Sequence, residues 1–218
     1  EKKLKKSYQS PSSWRRIGSQ VRVNRIRWIH RHLENGAGQI CFQRNICTLR
    51  IQGEHIILRL ADSSDVQTIV EWENDYENWL VSGTTEPYSL EQIKNFIEND
   101  NDIFAANQCR FMLLANDSRI GCIDLFDYEP KHGRVGVGVL VDRIYRGKGY
   151  AKEALQLLVP FCKQELKTRM LFAGVLSDNL TSLNLFKSVG FEEIGIRKNW
   201  VNHDGNHLDQ HMFQLTIE

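Results

Sequence analysis

The sequence predicts an α/β protein of the α+β kind: a mixed, mostly antiparallel sheet flanked by helices and preceded by a basic N-terminal extension. Three observations predict it. Several segments of strand texture are joined by connections of three or four residues, too short for a parallel crossover. Capped helical patterns fall between some strands but not others, so the order is mixed rather than strictly alternating. Charge is also divided: residues 1–50 carry twelve Lys and Arg against two acids, whereas residues 51–218 carry sixteen against twenty-five. These place an extension over residues 1–53 and a folded domain over 54–218.

Taken in order, residues 1–53 hold Lys2-Lys3-Leu4-Lys5-Lys6 and then Trp14-Arg15-Arg16 through Arg31, with Trp14, Ile17, Val21 and Trp28 able to share one helix face. Three readings stay open: a solvated, poorly ordered extension, an Arg-rich and acid-poor targeting segment, or a binder of anionic surfaces, nucleic acid included. His55 to Leu60 reads as the first strand of the domain, and Ala61-Asp62-Ser63-Ser64-Asp65 supplies cap chemistry for a helix over Val66 to Trp72. Ser89 caps a second helix, Leu90 to Asn99, with Ile93, Phe96 and Ile97 inward. Arg110 to Ala115, Ile120 to Tyr128 and Arg134 to Val141 follow as hairpin-linked strands. The next helix carries Ala151, Ala154, Leu155, Leu158, Phe161 and Cys162 on one face, with a kink expected at Pro160. Met170 to Val175, a short helix over Asn179 to Ser188, Phe191 to Arg197 and a last strand through Met212 to Ile217 complete the domain.

Composition excludes some functions. No run of eighteen apolar residues occurs, which argues against a membrane-spanning helix. The five cysteines are scattered, without a C-x-x-C pair, so neither a disulfide framework nor a zinc site is expected, and a reducing, cytoplasmic setting is the simpler reading. His203, His207 and His211 have i, i+4 spacing, but Asp204-Gly205 reads as a hairpin turn between them, so no metal site is expected there.

The stretch after the strand at Arg134 to Val141 carries most of the functional signal. Two glycines in Tyr145-Arg146-Gly147-Lys148-Gly149-Tyr150-Ala151, between a strand and a helix, let backbone amides face an anion. The Walker pattern G-x-x-x-x-G-K-[ST] is absent, and Gly136 and Gly138 lack the third glycine of a dinucleotide loop. What remains, Arg146-x-x-Gly149-x-Ala151, resembles the coenzyme A pyrophosphate signature of the GNAT superfamily of N-acetyltransferases. A second signature matches in Asp178-Asn179-x-x-Ser182-Leu183-x-Leu185-Phe186-x-x-x-Gly190-Phe191. Within that superfamily Glu86-Pro87-Tyr88, Gly121-x-x-Asp124-Leu125-x-Asp127 and Tyr145 to Gly149 are similar to segments of the spermidine acetyltransferases and their neighbours, the ribosomal-protein N-terminal acetyltransferases.

The resemblance implies a GNAT-type fold and direct acetyl transfer from acetyl-CoA to an amine, a small-molecule polyamine or a peptide N-terminus. It implies cofactor contacts from Val139, Leu140, Val141, Arg146, Gly147, Lys148, Gly149, Tyr150, Ala151, Asn179 and Phe186. An alkyl ammonium with a reference pKa of about 10.4 must lose a proton before it attacks, and Asp124 is the first candidate base. Glu86 and Asp127 are candidates to attract the cationic acceptor, although odd spacing sets Asp127 on the opposite strand face from Asp124 unless a bulge intervenes. Two departures from the family stand out. Glycines occupy the cofactor strand where relatives sometimes carry a Glu, and Phe186 stands where many carry a Tyr that protonates the departing thiolate. Ser182, Tyr128 or Tyr145 could supply that proton instead, and an acyl-CoA-binding protein with weakened catalysis is the alternative from another class. The oligomeric state stays open, a homo-oligomer included.

Overall fold

The computed structural model describes residues 49–82 and 84–217, so every reading of the chain up to residue 48 falls outside the described residues. Eight strands form one sheet in the order β1-β2-β3-β4-β5-β6-β8-β7. They are β1 (Arg50–Gln52), β2 (Ile57–Leu60), β3 (Cys109–Ala115), β4 (Ser118–Glu129), β5 (Arg134–Val141), β6 (Met170–Leu176), β7 (Glu192–His203) and β8 (Asn206–Thr216). Every neighbouring pair is antiparallel except β5 and β6, which need the helical crossover α4 (Tyr150–Gln164) between them. The short strand β1 lies on the extension side of the 53/54 boundary, yet it pairs Ile51 with Leu58 and belongs to the sheet.

Two helical layers cover the sheet. On one face α4 and α5 (Leu180–Ser188) bury Leu155, Leu158, Phe161, Leu183 and Phe186 against Phe111, Ile123, Leu125, Val135 and Val137. On the other, α1 (Val66–Glu73) and α3 (Leu90–Asn95, continued by a π turn over Phe96–Asp100) set Ile69 and Ile93 against Met112, Cys122 and Leu140. Strand alternation explains the division, because successive side chains of β3, β4 and β5 point to opposite layers. The helix α2 (Tyr76–Ser82) has no counterpart in the sequence reading.

Local chemistry sets the element ends. Asp62 and Asp65 form a capping box before α1, and Ser89 and Gln92 form another at α3. The first strand of the domain starts at Ile57 rather than His55. Glu153 of α4 accepts hydrogen bonds from the His55 and Ile56 amides at 2.8 and 3.3 Å, which takes those groups out of the ladder. Pro160 does not end α4, which continues to Gln164; the burial of Leu158, Phe161 and Cys162 around the proline supplies packing that outweighs one missing backbone bond.

Candidate active site

The site begins where two strands part. β5 and β6 pair only at Arg134 with Met170, Val135 with Leu171 and Gly136 with Phe172. Beyond Gly136, β5 stays with β4 while β6 follows β8. The half of β5 from Val137 to Val141 therefore has a partner on one side only, and alternate backbone N–H and C=O groups point into the fork. Val139, Leu140 and Val141 line this open half, and all three are half-buried. On the α1/α3 face Gly136 and Gly138 of β5 and Gly174 of β6 bring no side chains of their own to the fork; Phe126 packs over Gly136 and reaches Gly138, and the Gln210 side chain lies over the exposed Gly174.

The glycine loop closes the open end of β5. Gly147 and Gly149 have φ of +78° and +86°, a region where an L side chain is strained, and a Cβ at either would meet nothing within 4 Å. Backbone conformation, not crowding, is what these two positions require of glycine. Gly149 is the N-cap of α4 and offers no side chain, so among the described residues the amides of Gly147, Lys148, Gly149, Tyr150, Ala151 and Lys152 have no acceptor. They sit at the positive end of a fifteen-residue helix. Such a cluster fits an anionic pyrophosphate, which would satisfy several of these donors together. The Arg146 amide is different, since it turns back to the Arg143 carbonyl at 3.4 Å.

The loop is braced by its neighbours. Arg146 donates from Nε to the Val141 carbonyl at 2.9 Å and from Nη2 to Asn78 Oδ1 of α2 at 3.3 Å. Asp142 accepts from the Ile144 amide and from Trp72 Nε1, which ties the loop to α1. Asn179 caps α5 by accepting from the Ser182 amide at 3.0 Å with Oδ1; its Nδ2 donors make no hydrogen bond among the described residues.

On the acceptor side the structure assembles an ionic triad. Arg110, with a side chain only 5% exposed, donates from Nε and Nη2 to the two oxygens of Asp124 at 2.7 Å each, and its Nη1 lies 2.7 Å from Glu73 Oε1. Burial opposes the Arg110 charge, but the Asp124 and Glu73 carboxylates more than offset it and hold the guanidinium well above its ordinary pKa. Two carboxylates around one guanidinium leave a net charge of about −1, by formal counting of the ionised groups. Asp124 lies directly across from Gly138, at the open part of the fork. Tyr88 stands in the same neighbourhood: burial and the charge of Glu73 raise its phenol pKa, and Glu86 adds a smaller push in the same direction. Asn74 clamps this segment by exchanging hydrogen bonds with the Tyr88 backbone at 2.7 and 2.9 Å.

The structure thus brings Asp124 to the open half of β5, while Glu86 is exposed in the segment before α3 and reaches this end through its charge on Tyr88; other residues are set apart from it. Asp127 sits in a bulge between Phe126 and Glu129 with φ of +48°, exposed and toward the closed end where β4 turns into β5. Tyr128 is no proton donor, because its buried hydroxyl donates to the Leu166 carbonyl at 2.7 Å. The Phe186 ring is spent on packing, 5.0 Å from the Phe191 ring and 6.0 Å from that of Phe213. The sequence reading gives Glu73, Tyr88, Asn78 and Arg110 no part in the site, although Tyr88 falls in a segment likened to the polyamine enzymes and Arg110 begins a strand. A signal existed only for Arg110, a lone cation within Cys109-Arg110-Phe111-Met112-Leu113-Leu114, which demands a buried counter-charge. His203, His207 and His211 fall on the two arms of the β7–β8 hairpin, whose turn is Asp204-Gly205.

Comparison with known proteins agrees with this geometry. Residues 55–192 match the acetyltransferase (GNAT) domain family. The chain is 26% identical over 165 residues to the uncharacterized N-acetyltransferase p20 of Bacillus licheniformis, covering 74% of this chain and 93% of that protein. It is 28% identical over 167 residues to the prophage-derived N-acetyltransferase YokL of Bacillus subtilis, covering 76% and 92%. Among solved structures, the ribosomal L7/L12 α-N-protein acetyltransferase RimL in complex with coenzyme A superposes with a TM-score of 0.67 at 18% identity, over 76% of this chain and 96% of that one. Spermidine N-acetyltransferase from Vibrio cholerae, in complex with coenzyme A and spermine, gives 0.65 at 19%, over 75% and 96%; at such identities both show a shared fold. Among the described residues no helix is long and apolar enough to cross a membrane. The family match spans the strand fork, the glycine loop and the helices beside them: the chain belongs to the GNAT acetyltransferases, and it is an N-acetyltransferase that takes its acetyl group from acetyl-CoA.

Proposed function

We propose that the acceptor is the primary amine of a small polyamine such as spermidine. One observation carries this reading: the Glu73–Arg110–Asp124 triad sets two carboxylates against one guanidinium across from Gly138, which brings no side chain of its own to the fork. A cationic amine entering there would meet those carboxylates, and Glu86 in the same neighbourhood extends the negative field. Acetyl-CoA supplies a thioester-activated acetyl group, and the chain supplies position and charge. The amides of Gly147 to Lys152 would hold the pyrophosphate, Val139, Leu140 and Val141 would offer backbone groups to the pantetheine arm, and Asn179 Nδ2 would donate to the same arm. Both oxygens of Asp124 already accept from Arg110, so their outer lone pairs are what the amine would meet. Asp124 would bind the ammonium there and pass its proton toward solvent. Phe186 has no proton for the leaving thiolate; a thiol pKa near 8.5 lets that group depart with help from the Tyr145 or Ser182 hydroxyl. Three buried cysteines, Cys109, Cys122 and Cys162, are free thiols, which supports a cytoplasmic setting.

A second reading, acetylation of a peptide N-terminus, is favoured by the engagement of both Asp124 oxygens with Arg110, since an α-amine with a pKa of about 7.7–8.0 asks less of a general base than an alkyl ammonium does. A thiol-release assay with acetyl-CoA against polyamines and short peptides separates the two. Release that depends on spermidine supports the first reading, release that depends only on peptides supports the second, and no acceptor-dependent release defeats both.

A further inference from the structure

The direction in which coenzyme A would lie determines where its acyl group ends. With the pyrophosphate on the amides of Gly147 to Lys152 and the pantetheine arm running back along Val141, Leu140 and Val139, the thioester comes to the row of Gly138, which Asp124 faces from the neighbouring strand. An amine held by Asp124 must come within roughly 3–3.5 Å of the thioester carbon before a bond can form, so the acyl group belongs on the α1/α3 face over Gly138. This placement rests on the roles proposed above for Asp124 and the open half of β5.

The space over Gly138 is small and bounded. Val137 and Val139 turn their side chains to the α4/α5 layer, so β5 presents bare backbone on this face between Gly136 and Leu140. A Cβ added at Gly138 would meet the edge of the Phe126 ring at 3.8 Å and, its chain neighbours apart, nothing else within 4 Å among the described residues. A methyl group therefore fits there. Two residues further along β5, a Cβ at Gly136 would collide with the same ring, which fills the place a side chain would take. That ring is itself held edge-on by Phe172 of β6, with centroids 5.9 Å apart and planes at 87°. Phe172 pairs with Gly136 in the last rung before the strands part, so the two rings close the fork on this face. Leu140 borders the space toward the open end, and the Gln210 side chain lies over Gly174 across the fork.

We infer that Phe126, held in place by Phe172, is the stop that sets the length of the acyl group this enzyme transfers. An acetyl group ends over Gly138. A longer chain continues in the direction of the pantetheine arm, toward Gly136, and runs into the ring. Because Gly136 brings no side chain, removing the ring opens a slot toward the closed end of the fork, and the preference for acetyl then rests on one residue of β4 that lies outside the glycine loop and the Asn179 segment.

Titration calorimetry of the full chain with coenzyme A, acetyl-CoA and butyryl-CoA, with no acceptor present, tests this; coenzyme A is the reference for every contact except those of the acyl group. Wild type should bind acetyl-CoA about tenfold or more tighter than butyryl-CoA, within the range that added methylenes cost in a closed apolar pocket. Phe126→Ala, and Phe126→Leu with more of the packing kept, should each reduce that preference by about tenfold. Gly138→Ala, at a position without left-handed backbone, sets a methyl where the acetyl would lie and should weaken acetyl-CoA by about tenfold relative to coenzyme A. Initial rates with spermidine should rank the thioesters in the same order. A wild type that binds butyryl-CoA as tightly as acetyl-CoA overturns the inference, as does a preference that both Phe126 variants leave unchanged. The binding ratios need no acceptor, so ratios that shift as expected while spermidine goes unacetylated would support the stop and count against the acceptor proposed above.

Discussion

Replacing Asp124 by Asn removes one negative charge from the triad while keeping its shape. The wild-type triad has a net charge of about −1, and the variant leaves Glu73 and Arg110 as a neutral pair. A unit charge about 4 Å from an ammonium is worth roughly 4 kcal/mol at an effective dielectric of 20. The side chain of Asp124 is 27% exposed and Arg110 lies against it, so solvent and the guanidinium reduce that to about 1–3 kcal/mol. The expected result is a kcat/KM for spermidine lower by about 10- to 100-fold, carried by KM. An arylamine, uncharged at neutral pH, is the control and keeps its kcat/KM within about twofold. The amide also turns an N–H2 toward Arg110 in place of an acceptor, which lowers stability by about 1–3 kcal/mol, read by urea melts. Equal losses for the charged and the neutral acceptor would refute an anchoring role and make Asp124 a base in the slow step. No loss for spermidine would remove it from the site.

Gly149→Ala forces a left-handed residue with φ of +86° at the mouth of the loop, costing about 1–2 kcal/mol, and titration calorimetry should show coenzyme A bound roughly 5- to 30-fold more weakly; an unchanged Kd counters the role given to these amides. Phe186→Tyr places a hydroxyl within the Phe191 and Phe213 stack, so stability should fall by about 1–3 kcal/mol with no gain in turnover; a several-fold rise in kcat would show that the missing hydroxyl limits the reaction. Asp65 is fully buried, and although burial pushes its carboxyl upward, hydrogen bonds from Arg59, Arg119 and the Asp62 amide hold it below the ordinary value. A depressed folded pKa gives stability that is present above the unfolded pKa of about 3.9 and is lost as pH falls through the folded value. Urea melts of wild type should weaken below about pH 4, whereas Asp65→Asn should be less stable at neutral pH and show a flatter acid limb; parallel curves would contradict this.

Much of the cofactor half was legible because it rests on local chemistry. Gly147 and Gly149 show as a glycine pair between a strand and a helix, and the helical face of α4 as a repeat, whereas the cap that Asn179 makes on α5 emerges only in the structure. The acceptor half depends on partners distant in sequence. Glu73 ends α1 and looks like any exposed helix acid until β3 sets Arg110 beside it. The fork is hidden too, since Val135 to Val141 is one uninterrupted apolar run although its partner on one side ends at Gly136. Asp127 depended on a bulge that no spacing reveals. α2 escaped because Tyr76 to Ser82 has little periodicity of its own; Asn78 fixes it by donating to the Trp72 carbonyl and accepting from Arg146.

The most direct test of the central claim is mass spectrometry of spermidine and a short peptide offered together to the full chain with acetyl-CoA, with released thiol measured in parallel. The account predicts acetylated spermidine, one thiol per acetyl group transferred, and an unmodified peptide. Acetyl found only on the peptide N-terminus, or thiol released with neither amine modified, would contradict it.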